Sequence, residues 1–226
     1  VGLIDRIKDK IYISWNLWFR EHVFCIFKRL SLKNKNVSIF CNNCVGACIA
    51  HDLNLKFRSP FVNLWLYPKD YIKFCENIEY YIEKELVFTD PNKHGVDYPV
   101  ALLGDICIFF QHYHSEEEAK KCWNERKKRI NHDNICCLLV ERDGCTYEDL
   151  LRFSRLPYPT ASLVHVPMPE LNNSHYIKGF EKDEQVGDSI EFKPHQYFGS
   201  RYYDDFDYVK FFNSNVNNAN QSSSLQ

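Results

Sequence analysis

The sequence runs to 226 residues, 45% apolar and 26% charged, enough for one domain with a sizeable core. Its 28 Lys and Arg against 30 Asp and Glu give a formal net charge of −2, which argues against a chain-wide basic surface for nucleic acid and leaves room only for a local basic patch. Ten Cys in a chain this long, with no charged-apolar-small leader pattern and no run of about eighteen uncharged apolar residues, lead to the expectation of reduced thiols in a cytoplasmic protein without a transmembrane helix.

The charge is unevenly spread. Residues 1–36 hold eight basic side chains (Arg6, Lys8, Lys10, Arg20, Lys28, Arg29, Lys33, Lys35) against three acidic ones (Asp5, Asp9, Glu21), a net of +5 that leaves −7 for the rest. Within this segment Ile4, Ile7, Ile11, Trp15 and Trp18 fall at helical spacing, and Phe19, Val23, Phe27 and Leu30 extend the apolar surface. Two readings of this basic amphipathic helix stay open. Either it docks on its own domain, or residues 3–31 lie on the inner face of the plasma membrane, rings at headgroup depth and Lys/Arg near anionic lipid.

Next come a short β-type run at 37–40, a turn of small residues from Cys41 to Cys48 and a helix to about Asp52. Residues 61–66 read as a strand entered through Pro60, and Pro68 opens a helix whose apolar positions Tyr71, Phe74, Ile78, Tyr81 and Ile82 carry it to about Leu86. Residues 99–103 and 106–110 flank Gly104-Asp105 as a hairpin. Ser115 with Glu118 is a capping box for a helix holding Trp123 and the run Arg126 to Arg129. The continuous apolar run 135–140 reads as a strand buried on both faces, Thr146 caps a helix to about Leu156, and 161–166 is the final core strand.

Strands alternating with helices predict a single α/β domain: a mostly parallel sheet flanked by helices, one hairpin, and the N-terminal amphipathic helix. The expected organisation is a basic helical segment (1–35), an α/β core (36–169), an aromatic and acidic extension packed on the domain or a partner (170–212), and a disordered Asn/Ser-rich tail (213–226).

Ligands of parallel α/β sheets bind beyond the carboxyl ends of the strands. That rule collects Asn42, Asn43 and Cys44; Gln111, His112 and His114; Glu141, Arg142 and Asp143; and His165. Cys44, at a helix start, meets the positive end of a helix dipole, which favours a thiolate nucleophile with His112 or His114 as its base; equally, it is a small residue packing a tight turn. Arg126 and Arg129 share a helix face with Trp123 and Ile130, and form either a clamp for phosphate or carboxylate or salt bridges to acids such as Asp105 or Asp143. Asp143 is an acid/base candidate or simply a turn former. Cys41, Cys44 and Cys48 invite a metal reading, but Cys41-x-x-Cys44 has no matching second half, so no metal site is expected. With neither a phosphate loop nor a G-x-G-x-x-G, no cofactor is indicated.

Asn42-Asn-Cys44 with Gly46, the stretch from Leu55 to Phe61, Tyr98-Pro99-Val100, Leu103 to Ile106, His112-Tyr113, Glu118-Ala119, Trp123, Arg126, Arg129 to Asn131 and Arg142 to Cys145 together resemble a bacterial family of unknown function often labelled exopolysaccharide biosynthesis protein. The resemblance spans residues 36–166 and departs after Cys44, where the family has Trp and two Gly and this chain has Val45, Gly46 and Ala47. It implies an α/β fold and a role in cell-surface or capsular polysaccharide assembly. It also raises Asn42, Asn43, Cys44, Asp105, His112, Arg126, Arg129 and Asp143 as one site. The resulting expectation is a transferase that uses a polysaccharide precursor or nucleotide-linked donor. A non-catalytic membrane-associated partner of polysaccharide-synthesis enzymes and a Cys/His hydrolase stand as alternatives.

Overall fold

The continuous apolar run expected at the centre of the sheet is there: β5 (Ile135–Val140) is buried along its whole length. In the computed structural model, which describes residues 2–215 apart from the side chains of Leu3 and Ile4, β5 pairs in parallel with β1 (Ser38–Cys41) on one side and β6 (Thr160–Val164) on the other. A fourth parallel strand, β7 (Ser174–Tyr176), completes the order β1-β5-β6-β7. Because side chains alternate along a strand, β5 feeds two cores. Ile135, Cys137 and Leu139 face α4 (Pro68–Glu76), α7 (Tyr147–Ser154) and the second sheet. Cys136, Leu138 and Val140 face α3 (Val45–Asp52) and the C-terminal extension, whose Tyr203, Phe206, Tyr208 and Phe212 are wholly buried. The extension is thus packed on its own domain.

The second sheet is an antiparallel meander of β2 (Leu86–Thr89), β3 (Val100–Leu103) and β4 (Ile106–Phe109). β3 and β4 form the expected hairpin, with Gly104 at φ +66 in its turn. Two expectations change. The helix from Pro68 does not run through to Leu86: Asn77 leaves helical geometry, splitting α4 from α5 (Ile78–Glu83), and Leu86 pairs with Leu103 to open β2. Residues 61–66 form no ladder, because Asn63 adopts a left-handed φ of 62°; only Trp65 bridges, exchanging two 2.9 Å hydrogen bonds with Phe109. Leu66 then donates to the Asn42 carbonyl, tying the meander to the end of β1. Both predicted N-caps are made: Ser115 starts α6 (Glu116–Lys127), with the Glu118 carboxylate accepting from the His114 amide instead of closing a box on Ser115, and Thr146 with Asp149 starts α7 as a full capping box. The first sheet, its flanking helices and the hairpin make a mixed α/β fold.

The N-terminal helix is α1 (Leu3–Phe19), a π-helical turn (Arg20–Phe24) and α2 (Cys25–Ser31). Its buried positions are Asn16, Arg20, Cys25 and Leu32, with Tyr12 half-buried. The step from Arg20 to Cys25 is five residues, against four from Tyr12 to Asn16 and from Asn16 to Arg20 and seven, two turns, from Cys25 to Leu32, and the Cys25 amide donates to the Arg20 carbonyl. The inserted residue keeps the docked stripe on one side through the whole length. Arg20 is its anchor. Nε bonds Asp52 Oδ1 (3.1 Å), Nη1 bonds the Gly199 carbonyl (2.6 Å) and Asp204 Oδ2 (2.7 Å), and Nη2 bonds Asp52 Oδ2 and the Tyr203 hydroxyl (2.8 Å). Lys28 adds a 2.8 Å pair with Asp204. At the other end of the chain, α8 (Tyr208–Ser214) includes Asn213, which accepts from the Lys33 amide at 2.7 Å. Of the tail expected from 213 on, residues 216–226 lie outside the described residues.

Candidate functional site

Beyond the carboxyl ends of β1 and β5 opens a cleft of about 900 Å³. Its floor follows from how β1 ends. Asn42 is fully buried and copies a backbone pair: its Nδ2 donates to the Val140 carbonyl (3.1 Å) and its Oδ1 accepts from the Val140 amide (2.9 Å), extending the ladder by one rung. Asn43 Oδ1 accepts from the Val45 amide at 3.0 Å, which turns the chain into α3 with Cys44 at the cap. A Cβ on Gly46 would stand 2.6 Å from that of Cys41, so only glycine lets α3 lie this close to β1. From α3, Cys44, Cys48, His51 and Asp52 line the cleft.

The other walls come from segments far apart in the sequence. Gln111 and His112 follow β4. Arg142 and Asp143 follow β5, joined by a 3.1 Å Nε–Oδ2 contact, with Asp143 at φ +56 and its amide held by Gln185. Asp188, Ser189 and Arg201 come from the C-terminal extension, and Phe57, Trp65 and Tyr98 form an aromatic wall. Trp65 lies flat on Phe109 (4.1 Å between ring centres) and donates Nε1 to the Tyr98 hydroxyl at 3.2 Å, so this wall is fixed before any ligand arrives.

Arg201 is the least satisfied cation here. Its guanidinium stacks over Phe192 at 5.1 Å, its buried Nε has no hydrogen-bond partner, and no carboxylate lies within 4.0 Å of it among the described residues. A buried donor left open costs free energy unless something outside the fold accepts from it.

The thiol expectation changes. Burial, with Cys48 and Asp188 adding to it, pushes the Cys44 thiol up to about 11, and Arg142 only partly opposes this. The helix start does not outweigh desolvation. No histidine ring is hydrogen-bonded to Cys44 Sγ among the described residues, so the geometry that Cys/His chemistry requires is not met.

Of the ten residues singled out from sequence, the cleft gathers Asn43, Cys44, His112, Arg142 and Asp143. Asn42 lies beneath it as a backbone splice. Asp105 sits elsewhere, exposed in the β3–β4 turn with Lys73 and the Tyr81 hydroxyl, and Lys73 above all holds its carboxyl below the usual range. His114 precedes α6, its amide donating to Glu118. Arg126 and Arg129 do not line the cleft, nor do they pair with Asp105 or Asp143. Arg126 bonds the Tyr113 hydroxyl and the Val62 carbonyl, while Arg129 lies 3.8 Å from Glu125. His165, also at a strand end, is held 2.7 Å from Glu141. Sequence reasoning weighed Cys48 only as a metal ligand and missed His51, although positions 44, 48 and 51 share one helix face. It also missed Trp65, Tyr98, Asp188 and Arg201, which no local motif marks.

A family model described as a domain of unknown function, DUF1919, matches residues 17–213. The chain belongs to that family. An uncharacterized protein of Haemophilus influenzae (strain ATCC 51907 / DSM 11121 / KW20 / Rd) is 44% identical over 183 residues, covering 80% of this chain and 86% of the relative. The DUF1919 match reaches well beyond the 36–166 span of the sequence resemblance. It takes in the π turn and the C-terminal extension, so both Arg20 and Arg201 belong to the domain.

Proposed function

We propose that this DUF1919 chain is an enzyme of cell-surface polysaccharide biosynthesis, a transferase acting on a phosphate-bearing glycan precursor or nucleotide-linked donor. One observation carries the reading: the cleft holds a guanidinium with an unfilled buried donor, Arg201, together with Arg142 and a prebuilt aromatic wall. Guanidinium groups accept phosphate oxygens in charge-assisted, directional hydrogen bonds. Flat rings such as Trp65 and Tyr98 suit the apolar face of a sugar or a nucleobase. His112 and Asp143 are among the groups in the cleft suited to take the proton from an acceptor hydroxyl as it attacks the donor. The polysaccharide context rests on the sequence resemblance alone.

The experiment is a thermal-shift and turnover screen of the full chain against nucleotide sugars, sugar phosphates and acyl-CoA donors. A phosphate-bearing sugar donor should raise the melting temperature and be consumed when an acceptor is supplied. Inertness towards every phosphate-bearing donor would remove the proposal.

A further inference from the structure

The apolar stripe of the N-terminal helix faces away from the protein. Ile11 is 64% exposed, Trp18 50%, Phe27 68% and Leu30 79%, whereas the side facing the body is the polar stripe of Tyr12, Asn16 and Arg20. The π turn keeps both stripes in register, so the outward one runs from Ile7 to Leu30, roughly 35 Å at the helical rise. The helix cannot roll to hide it. The Arg20 guanidinium is bonded to Asp52, Asp204, Tyr203 and the Gly199 carbonyl, Asn16 accepts from the Gly199 amide at 2.9 Å, and the Tyr12 hydroxyl donates to the Lys193 carbonyl at 2.7 Å. Next to the stripe, Phe198 is 66% exposed and packs on Phe19, 5.6 Å between ring centres. A contiguous apolar surface of this extent, fixed outward by a buried ionic cluster, marks an interaction face.

We infer that this face docks the protein on an anionic lipid bilayer, lying in the interface. Charge selects the occupant. Of the eight basic residues in 1–36, Arg20 and Lys28 are engaged with buried carboxylates. Arg29 donates Nε to the Asp52 carbonyl at 2.7 Å, which leaves Arg6, Lys8, Lys10, Lys33 and Lys35 against three acids, while the rest of the chain is net acidic. Lys10 shares a groove with Ile11, Trp15 and Trp18, and Lys8 with Asp9 shares another with Ile11, Trp15 and Tyr197, so the rings are bordered directly by charged groups, the lysines among them. Apolar side chains with Trp at their centre and lysines at their rim are the composition that sits at headgroup depth. No helix among the described residues is long and apolar enough to cross a membrane, and the docking needs none. It stands whether or not the cleft turns over a donor.

The test uses the full chain with vesicles of phosphatidylcholine, with and without phosphatidylglycerol. Cosedimentation with the anionic vesicles is expected, weakened by salt, together with a blue shift of tryptophan emission. The combined substitution Trp18→Ser, Phe27→Ser, Leu30→Ser removes three exposed side chains that make no hydrogen bonds. It should lower vesicle affinity by more than about tenfold and leave the melting temperature unchanged. Should that variant not fold, quenching of the unaltered protein by brominated lipid replaces it, and quenching is expected. Failure to bind anionic vesicles, binding unaffected by the substitutions, absence of quenching, or a stable dimer in solution that buries Trp18 would each overturn the proposal.

Discussion

Arg20 and Arg201 lie near the same ring. Their guanidinium carbons are 5.1 and 5.9 Å from the centre of Tyr203, yet the two cations are handled in opposite ways. Arg20 is buried, with every N–H engaged and two carboxylates beside it. Arg201 has aromatic neighbours, a buried Nε without a partner, and a place in the wall of the cleft. A saturated guanidinium organises the fold; an unsaturated one at a cleft is where an external anion fits. The difference also links the two surfaces, because Asp52, the partner of Arg20, lies on the helix that lines the cleft.

Breaking the saturated side should have the largest effect. Arg20→Ala leaves Asp52 buried without its counter-charge and Asp204 with Lys28 alone, and is expected to cost about 3–5 kcal/mol of stability, read as a fall in the urea midpoint with α1 newly open to protease. Arg20→Lys should recover little, since one ammonium cannot span both carboxylates in the fork geometry. If Arg20→Ala unfolds like the unaltered protein, the anchoring role of the cluster is wrong.

Acid should attack the same cluster next. Burial by itself pushes the Asp204 carboxyl up, but Arg20 and Lys28 outweigh it and hold the group below its ordinary value. A carboxyl depressed in the folded state contributes stability that is fully present above the unfolded value of about 4 and is lost as pH falls through the folded one. Urea midpoints should therefore hold level down to about pH 4 and drop below it. In Asp204→Asn the drop should be shallower. Equal acid sensitivity in the two proteins would assign it to other carboxylates.

On the unsaturated side, Arg201→Gln should change stability by less than about 1 kcal/mol, because it breaks no ion pair. It should weaken binding of a phosphate-bearing donor by about tenfold or more. The sharpest form of the comparison sets this variant beside Arg20→Ala: one loses ligand and keeps its fold, the other loses fold. Unchanged donor affinity in Arg201→Gln would remove Arg201 from the site.

How much of this was legible from residues alone depended on range. Local and periodic features were: β5 from its unbroken apolar run, the caps at Ser115 and Thr146, and the hairpin about Gly104-Asp105. Collecting residues after strands found Asn43, Cys44, His112, Arg142 and Asp143 in the cleft. Features set by distant partners were not. The spacing of Ile7, Ile11, Trp15 and Trp18 gives a stripe but not its direction, because the docked side is decided by Asp52 and Asp204, 32 and 184 positions from Arg20. β2 has no signal of its own, and its first residue, Leu86, reads as the end of a helix, because its pairing with β3 is tertiary. Arg201 and Trp65 carry no local signal at all, and each matters only through what other segments bring beside it.

The smallest effect is expected at Asp105, which the family resemblance raises as part of the site and the structure places in a surface pair. Asp105 lies between Lys73 and the Tyr81 hydroxyl, its side chain 63% exposed, and it does not line the cleft. Exposed pairs gain little because water and salt screen the attraction and two flexible side chains must be held still. Asp105→Asn keeps a hydrogen-bond acceptor for Tyr81 and removes only the charge, so the urea midpoint should not move resolvably and donor binding should match the unaltered protein. Loss of binding in this variant with its stability intact would return the β3–β4 turn to the site, and would mean that the cleft extends further in the liganded protein than its present walls show.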